Sequence, residues 1–270
     1  MCPELQKSAE LDSDMSQLRD FKVVKSNDLI QRSRFQLSLQ EQKIVLYLIS
    51  KIRPEDMELK DHTFEIMDFC KVCGIDTQGG SSYKYIKKTL KELRDRSIWV
   101  TMPDGSETTL AWIDKVTMTR NSGTVTIKID SDMKPYLLQL KERFTQYELL
   151  YTLAMRSQYS IRLYELLKSY EYQRTRIFDI EYLKKSIFAE NYTRFPDFKR
   201  VVLDTAMREI NDLSDINVTY EIIKEGRRFA KLEFNISLKE DVQERLQTLA
   251  RIDEALNPSQ MSIFEKMLES

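Results

Sequence analysis

Within residues 195–213 the apolar positions Leu203, Ala206, Ile210 and Leu213 are spaced i, i+3, i+7 and i+10, with Val202 beside them. At about 100° per residue they form one buried stripe on a helix. Asp197, Val201, Asp204, Thr205 and Arg208 face away, with Arg200 at the margin. Asp212-Leu-Ser-Asp215 closes the helix, and the period then changes. Ile216–Ile223 alternates apolar and polar residues as a strand does, Lys224-Glu-Gly-Arg-Arg228 reads as a basic turn, and Phe229–Ile236 alternates again. Helix, strand, basic turn, strand is the order of the back half of a winged helix.

The same order occurs earlier. In residues 81–97 a seam of Ile86, Leu90 and Leu93, flanked by Tyr83 and Thr89, predicts a helix capped by Ser81 or Ser82. Lys84, Lys87, Lys88 and Lys91 fall on its opposite face, and residues 81–96 carry six basic and two acidic side chains. A strand at Ile98–Met102, a turn at Pro103–Ser106, and strands over 108–119 and 123–130, joined by Arg120–Gly123, follow it. The two halves read as a diverged repeat. Leu90-Lys-Glu-Leu93 matches Met207-Arg-Glu-Ile210, and Leu46-Tyr47 matches Leu163-Tyr164, at a common offset of 117. Ser97 with Ser214 and Thr101 with Val218 keep that offset, and Phe64-Glu-Ile66 resembles Phe178-Asp-Ile180. The pattern predicts two small helix-plus-hairpin domains in tandem.

The remaining elements are shorter. Phe21–Val24 suits a strand, and Ser26 or Asn27 caps a short helix through Arg32. Ser38 with Glu41 has capping-box spacing ahead of a helix whose apolar face includes Leu37, Ile44, Val45, Leu48, Ile49 and Ile52, stopped by Pro54. His62–Ile66 reads as a strand, Met67–Cys73 as a short helix ended by Gly74, and the stretch around Gly79-Gly80 as a loop. Glu181–Phe188 is the counterpart short helix. A helix is expected within Met133–Leu140, held to its first turn by Pro135, and another over Ser157–Ser169. The stretch after Leu238 is acidic and partly helical in pattern, broken at Asn257-Pro258.

The chain of 270 residues has a net charge of −1 that hides its distribution. Residues 1–20 and 239–270 each carry −3, which leaves +5 for residues 21–238. Acidic ends around a basic body fit a nucleic-acid binder. There is no run of 18 apolar residues and no apolar stretch at the N-terminus, so a cytoplasmic protein without membrane contact is expected. Three cysteines make no disulfide framework, and Cys70-Lys-Val-Cys73 lacks the second ligand pair that a structural zinc requires. A buried, reduced pair is the simpler reading. With one histidine, His62, no imidazole cluster can hold a catalytic ion, and the six glycines form no phosphate-binding motif. The expectation is a protein that is not an enzyme and needs no cofactor or metal.

Several strings are similar to the replication initiator family of iteron-type plasmids. They are Phe144-Thr-Gln-Tyr-Glu-Leu149, Tyr159-Ser-Ile-Arg-Leu-Tyr-Glu-Leu-Leu167, Phe198-Lys-Arg200 with Leu203, Glu209-Ile-Asn211, and Leu37-Ser-Leu-Gln-Glu-Gln-Lys43. The resemblance covers roughly residues 20–238. It implies an α+β fold of two tandem winged helix domains, at 21–143 and 144–238; the acidic N-terminus at 1–20, expected to be mobile from its polar composition, and the acidic tail at 239–270 lie outside it. The implied function is initiation of plasmid replication by binding repeated origin sites in double-stranded DNA, with repression of the protein's own promoter as a dimer. The implied partners are DNA, a second copy of the chain, a host replication initiator and the replicative helicase.

The resemblance assigns DNA contact in the C-terminal domain to Arg194, Lys199, Arg200 and Arg208 on the helix and to Arg227 and Arg228 on the wing. Asp197 and Asp204 depart from a purely basic helix; a carboxylate in the groove can accept from a cytosine amino group and disfavours indiscriminate phosphate binding, and Asp204 is taken as the candidate contact. Lys84, Lys87, Lys88 and Lys91 suit phosphate positioning rather than base reading, because lysine is a point charge without a bidentate fork. The N-terminal domain is expected to carry much of the dimer interface. Two other readings stay open: a winged helix transcriptional repressor with no replication role, and a protein-interaction scaffold.

Overall fold

The computed structural model describes residues 21–53, 55–75, 82–119 and 122–256. The N-terminal stretch 1–20, Pro54, the Gly79-Gly80 loop, the Ser81 cap, Arg120-Asn121 and the Asn257-Pro258 break lie outside them.

The N-terminal half opens with strand β1 (Lys22–Ser26), helix α1 (Asn27–Arg32) and strand β2 (Ser33–Arg34). Helix α2 (Leu39–Ile49) follows, and its capping box forms as its spacing predicts. Glu41 N–H donates to Ser38 Oγ at 3.3 Å, and Ser38 N–H donates to Glu41 Oε2 at 2.7 Å. Strand β3 (His62–Glu65), helix α3 (Ile66–Val72) and helix α4 (Ser82–Asp95) come next. Four strands complete the half: β4 (Ser97–Thr101), β5 (Glu107–Ala111), β6 (Ile113–Thr119) and β7 (Thr124–Ile129). Ile86, Leu90 and Leu93 of α4 are buried, as their spacing predicts, and the four lysines are exposed.

After a 3-10 turn at Ser131–Met133 come helix α5 (Lys134–Leu137), strand β8 (Phe144–Glu148) and helices α6 (Leu149–Ala154) and α7 (Gln158–Lys168). Strand β9 (Thr175–Asp179) and helix α8 (Ile180–Ser186) lead to the long helical stretch. Helix α9 (Phe195–Phe198), a π-turn (Lys199–Leu203) and helix α10 (Asp204–Leu213) run on without a break. Strands β10 (Ile216–Glu225) and β11 (Arg228–Leu238) form the wing, and helix α11 (Val242–Ala255) ends the described chain. The stripe Val202, Leu203, Ala206, Ile210 and Leu213 is buried throughout.

The repeat is real at the level of the sheets. In the first half β3 pairs β7, which pairs β6; in the second β9 pairs β11, which pairs β10. Phe64 faces Val125 in one sheet, and Phe178 faces Leu232 in the other. Each helix pair therefore packs on an equivalent three-stranded sheet. The match of Ser97 and Thr101 to Ser214 and Val218 does not carry over to the strands. β4 pairs β2 and β5 in a sheet of its own, so the counterpart of the wing is β6–β7.

The single strand expected over 108–119 is two. The chain bends at Trp112, which is buried with its ring edge-on to Phe35 at 5.2 Å, and β5 and β6 enter different sheets. Burying that indole takes precedence over continuing the ladder. The helix expected within Met133–Leu140 stops at Leu137, and Gln139 has φ +52. Strand β8 and helix α6 are additions to the pattern-based reading.

β1 pairs β8 antiparallel, joining the start of the chain to its middle. Helix α7 is buried from Ser160 to Lys168 and packs on α1, α2 and α10. Its periodicity predicts burial of Ile161, Tyr164, Leu167 and Lys168. The structure also buries Arg162 and Glu165. Lys25 of β1 forms an ion pair with Glu165, Tyr147 Oη of β8 donates to Glu165 at 2.5 Å, and Arg162 Nη2 donates to the Ser186 carbonyl at 3.2 Å. The Arg162 guanidinium lies 4.2 Å from the Phe35 ring centre. These charges are paired and hydrogen-bonded, the condition under which burial is tolerated. Helix α11 packs on α10 and α6 through buried Ile252 and Leu256, with an Arg251–Asp212 ion pair at 3.0 Å.

Candidate nucleic-acid interface

The C-terminal set is built on the helical stretch and the wing. Pro196 in the first turn of α9 suits a position whose N–H has no partner within the helix. Phe195 stacks on Phe229 of β11 with ring centres 4.4 Å apart, so the start of the helix is held against the wing close to its tip. At the wing tip a two-residue turn, Gly226-Arg227, joins β10 to β11 with Glu225 facing Arg228. Gly226 has φ +63, a conformation that favours glycine in tight hairpins.

The exposed charges on this scaffold differ in how free they are. Arg194 caps the helix and lies 4.0 Å from Asp197; Arg200 lies 3.8 Å from the same carboxylate. Their side chains are 78% and 76% exposed, so both forks remain available to a ligand. Arg208, Arg227 and Arg228 are exposed and form no ion pair among the described residues. Lys199 is committed: its Nζ donates to both oxygens of Asp204, at 2.7 and 2.9 Å. Tyr220 Oη on β10 donates to Asp204 Oδ1 at 3.1 Å. Hydrogen bonding to Asp204 raises the Lys199 ammonium above the ordinary lysine range.

The side of the helix turned from solvent is clamped by polar contacts. Glu209 Oε2 accepts from the backbone N–H of Arg156 and of Ser157, and Asn211 makes two hydrogen bonds to the backbone of Val218 at 2.7 and 2.9 Å. Residues that carry part of the family resemblance, Glu209-Ile-Asn211, thus fix the helix in place and do not point outward.

The N-terminal set forms a separate surface. Lys84 and Lys87 carry no ion pair among the described residues, Lys88 lies 3.7 Å from Glu92, and Lys91 lies 2.7 Å from Asp95. Lys87 and Lys91 line a groove of about 470 Å³ between α4 and β6, together with Arg94 and Lys115 over a floor of Leu90 and Val116. Lys115 and Tyr220 were not candidates from the sequence. Neither belongs to a basic helix face; each reaches its site by strand pairing. No hydrogen bond or ion pair joins the N-terminal set to the C-terminal one among the described residues.

Cys70 and Cys73 are buried free thiols, and burial pushes the Cys70 thiol up to about 11. Among the described residues no group of three or more His, Cys, Asp or Glu side chains is placed to hold a metal ion. No described helix is long and apolar enough to cross a membrane.

Comparison with known proteins agrees with this geometry. Residues 22–168 match the family described as Initiator Replication protein, WH1, and residues 176–236 match Initiator Rep protein, WH2. The PI protein of Escherichia coli is 29% identical over 148 residues, which are 48% of this chain and 48% of that protein. A Replication initiation protein of Escherichia coli is 27% identical over 228 residues, 80% of this chain and 69% of that protein. The chain therefore matches about half the length of the first relative and about two thirds of the second.

Proposed function

Because this chain belongs to the initiator replication protein family, we propose that it starts plasmid replication by binding repeated duplex sites in an origin. The observation that carries this reading is the C-terminal surface. Arg200 and Arg208 project from a helix whose start is stacked on a wing tipped by Arg227 and Arg228. A helix of this kind enters the major groove, and a basic wing meets the adjacent backbone. Arginine suits the first task because its planar fork pairs with a guanine edge. The lysines of α4 suit the second, and with them the protein would neutralise about 6–10 phosphates.

The division of labour follows. Residues 144–238 read the site, and residues 21–143 contribute backbone contacts and self-association. Recruitment of a host initiator and the replicative helicase, and repression of the protein's own promoter by a dimer, complete the reading.

Selection of bound sequences from a random duplex pool, at two salt concentrations, tests it. One enriched site with two separated informative blocks, present as tandem copies in the source plasmid, is the expected result. No enriched sequence, or binding indifferent to salt, would overturn DNA reading and favour a protein-interaction scaffold. An enriched site that occurs once, at a promoter, would favour a repressor.

A further inference from the structure

Lys199 and Asp204 stand five residues apart. On a regular α-helix, at about 100° per residue, side chains so spaced diverge by about 140° and do not meet. Here the turn between them is widened. Asp204 N–H donates to the Lys199 carbonyl, the i→i+5 bond of a π-turn, and this brings the two side chains onto one line of the surface. The ion pair exists because of that turn. Its Nζ–Oδ distances are 2.7 and 2.9 Å, and Tyr220 Oη adds a third hydrogen bond to the same carboxylate from the wing. Lys199 Nζ also lies 6.0 Å from the Tyr220 ring centre. The side chains remain 41% and 47% exposed, so a ligand that reaches Arg200 and Arg208 reaches the pair as well.

We propose that Asp204 is a specificity-determining residue that holds Lys199 as a DNA phosphate would, so that the lysine is withheld from non-cognate duplex. The proposal rests on the DNA-binding reading above. An exposed ammonium–carboxylate pair is weak enough for a phosphate to displace. Displacement, however, leaves the Asp204 charge facing a polyanion with only Tyr220 as donor. On arbitrary sequence that exchange gains little. At a cognate site the neighbouring arginines gain base contacts and a base donor can meet Asp204, so the exchange proceeds. The π-turn thus converts one lysine from a general phosphate ligand into a conditional one.

The test uses the full chain and the variants Asp204→Asn, Tyr220→Phe and Lys199→Gln/Asp204→Asn, on cognate and scrambled duplexes across a salt series. Asp204→Asn preserves shape at an exposed position, so folding is not at stake. It should tighten binding to scrambled duplex and steepen its log K against log salt slope by about 0.9, one phosphate. The cognate-to-scrambled ratio should fall about fivefold or more, comparable to loss of discrimination at one base pair. The double variant should return the slope to the wild-type value, and Tyr220→Phe, which removes the one donor left to Asp204 when Lys199 is displaced, should leave it no steeper than in the wild type. Unchanged scrambled-duplex affinity and slope in Asp204→Asn would overturn the proposal, as would a loss confined to the cognate site, which would make Asp204 a base reader alone. Wild-type protein without salt-sensitive duplex binding would instead overturn the DNA-binding reading on which the proposal rests.

Discussion

Glu209, on α10, accepts at 3.2 Å the backbone N–H of Ser157, the residue whose side chain caps α7. The same oxygen accepts from Arg156 N–H at 3.2 Å. The orientation of the helix that bears Arg200 and Arg208 is therefore tied to α7, and through α7 to the N-terminal half.

Glu209→Ala leaves two backbone donors without an acceptor. A hydrogen bond of this kind contributes about 0.5–1.5 kcal/mol. We expect a lower urea midpoint of that order, together with weaker binding to the selected site and little change on scrambled duplex. Weakening of both to the same degree would show that Glu209 acts on stability alone.

Lys25, Arg162 and Glu165 form a buried cluster in which β1 meets α7. Burial works against the Glu165 charge, and Lys25 and Arg162 more than offset it, holding its carboxyl below the ordinary range. Removing one partner of a buried pair usually costs about 3–5 kcal/mol. Arg162 remains as a second cation, so Lys25→Met should fall at the low end, about 3 kcal/mol by denaturant unfolding. A loss under about 0.5 kcal/mol, the level of an ordinary surface change, would mean that Arg162 alone satisfies Glu165.

The arginines should separate by role in binding assays. Arg208→Ala should weaken the selected site by about 1–3 kcal/mol and relax preference at one position. Arg227→Ala with Arg228→Ala should weaken all duplexes alike and flatten the salt slope by about 1–2. Lys87→Ala with Lys88→Ala should do the same from the N-terminal surface. A changed site preference in either double variant would count against a backbone role.

Lys43 should contribute stability that grows with pH above neutrality, against the smaller opposing contribution of the buried thiols Cys70 and Cys73. Burial lowers the Lys43 ammonium from 10.5 to about 8, and Cys73, Glu209 and Arg156 are the charged or titratable groups around it. Between these values the folded protein binds fewer protons at Lys43 than the unfolded chain does, so folding is favoured as pH increases. Lys51, lowered by burial to about 8, acts in the same direction. Lys43→Met should show a smaller gain in urea midpoint from pH 7.5 to 9.5 than the wild type. Equal gains would exclude Lys43 as a source.

Much of the architecture was legible in local pattern. The stripe from Val202 to Leu213, the seam of α4, the Ser38–Glu41 capping box and the glycine turn of the wing each depend on neighbours a few residues away. Such features follow from helix and strand periods, and they suffice to show two helix-plus-hairpin units with basic outer faces. Tertiary structure decided what no period encodes. Strand β5 parts from β6 because Trp112 buries its indole against Phe35. Arg162 and Glu165 read as surface charges on α7 until Lys25, about 140 residues away, is brought to them by β1–β8 pairing. Lys199 and Asp204 look divergent on a regular helical wheel and meet only because the turn between them widens. The sequence by itself determined which faces are buried and where basic charge gathers, since each helix or strand needs only its own side chains for that. Whether Lys199 is held by a partner was settled by a backbone turn that no regular period encodes, and the burial of Arg162 and Glu165 by strands distant in the chain.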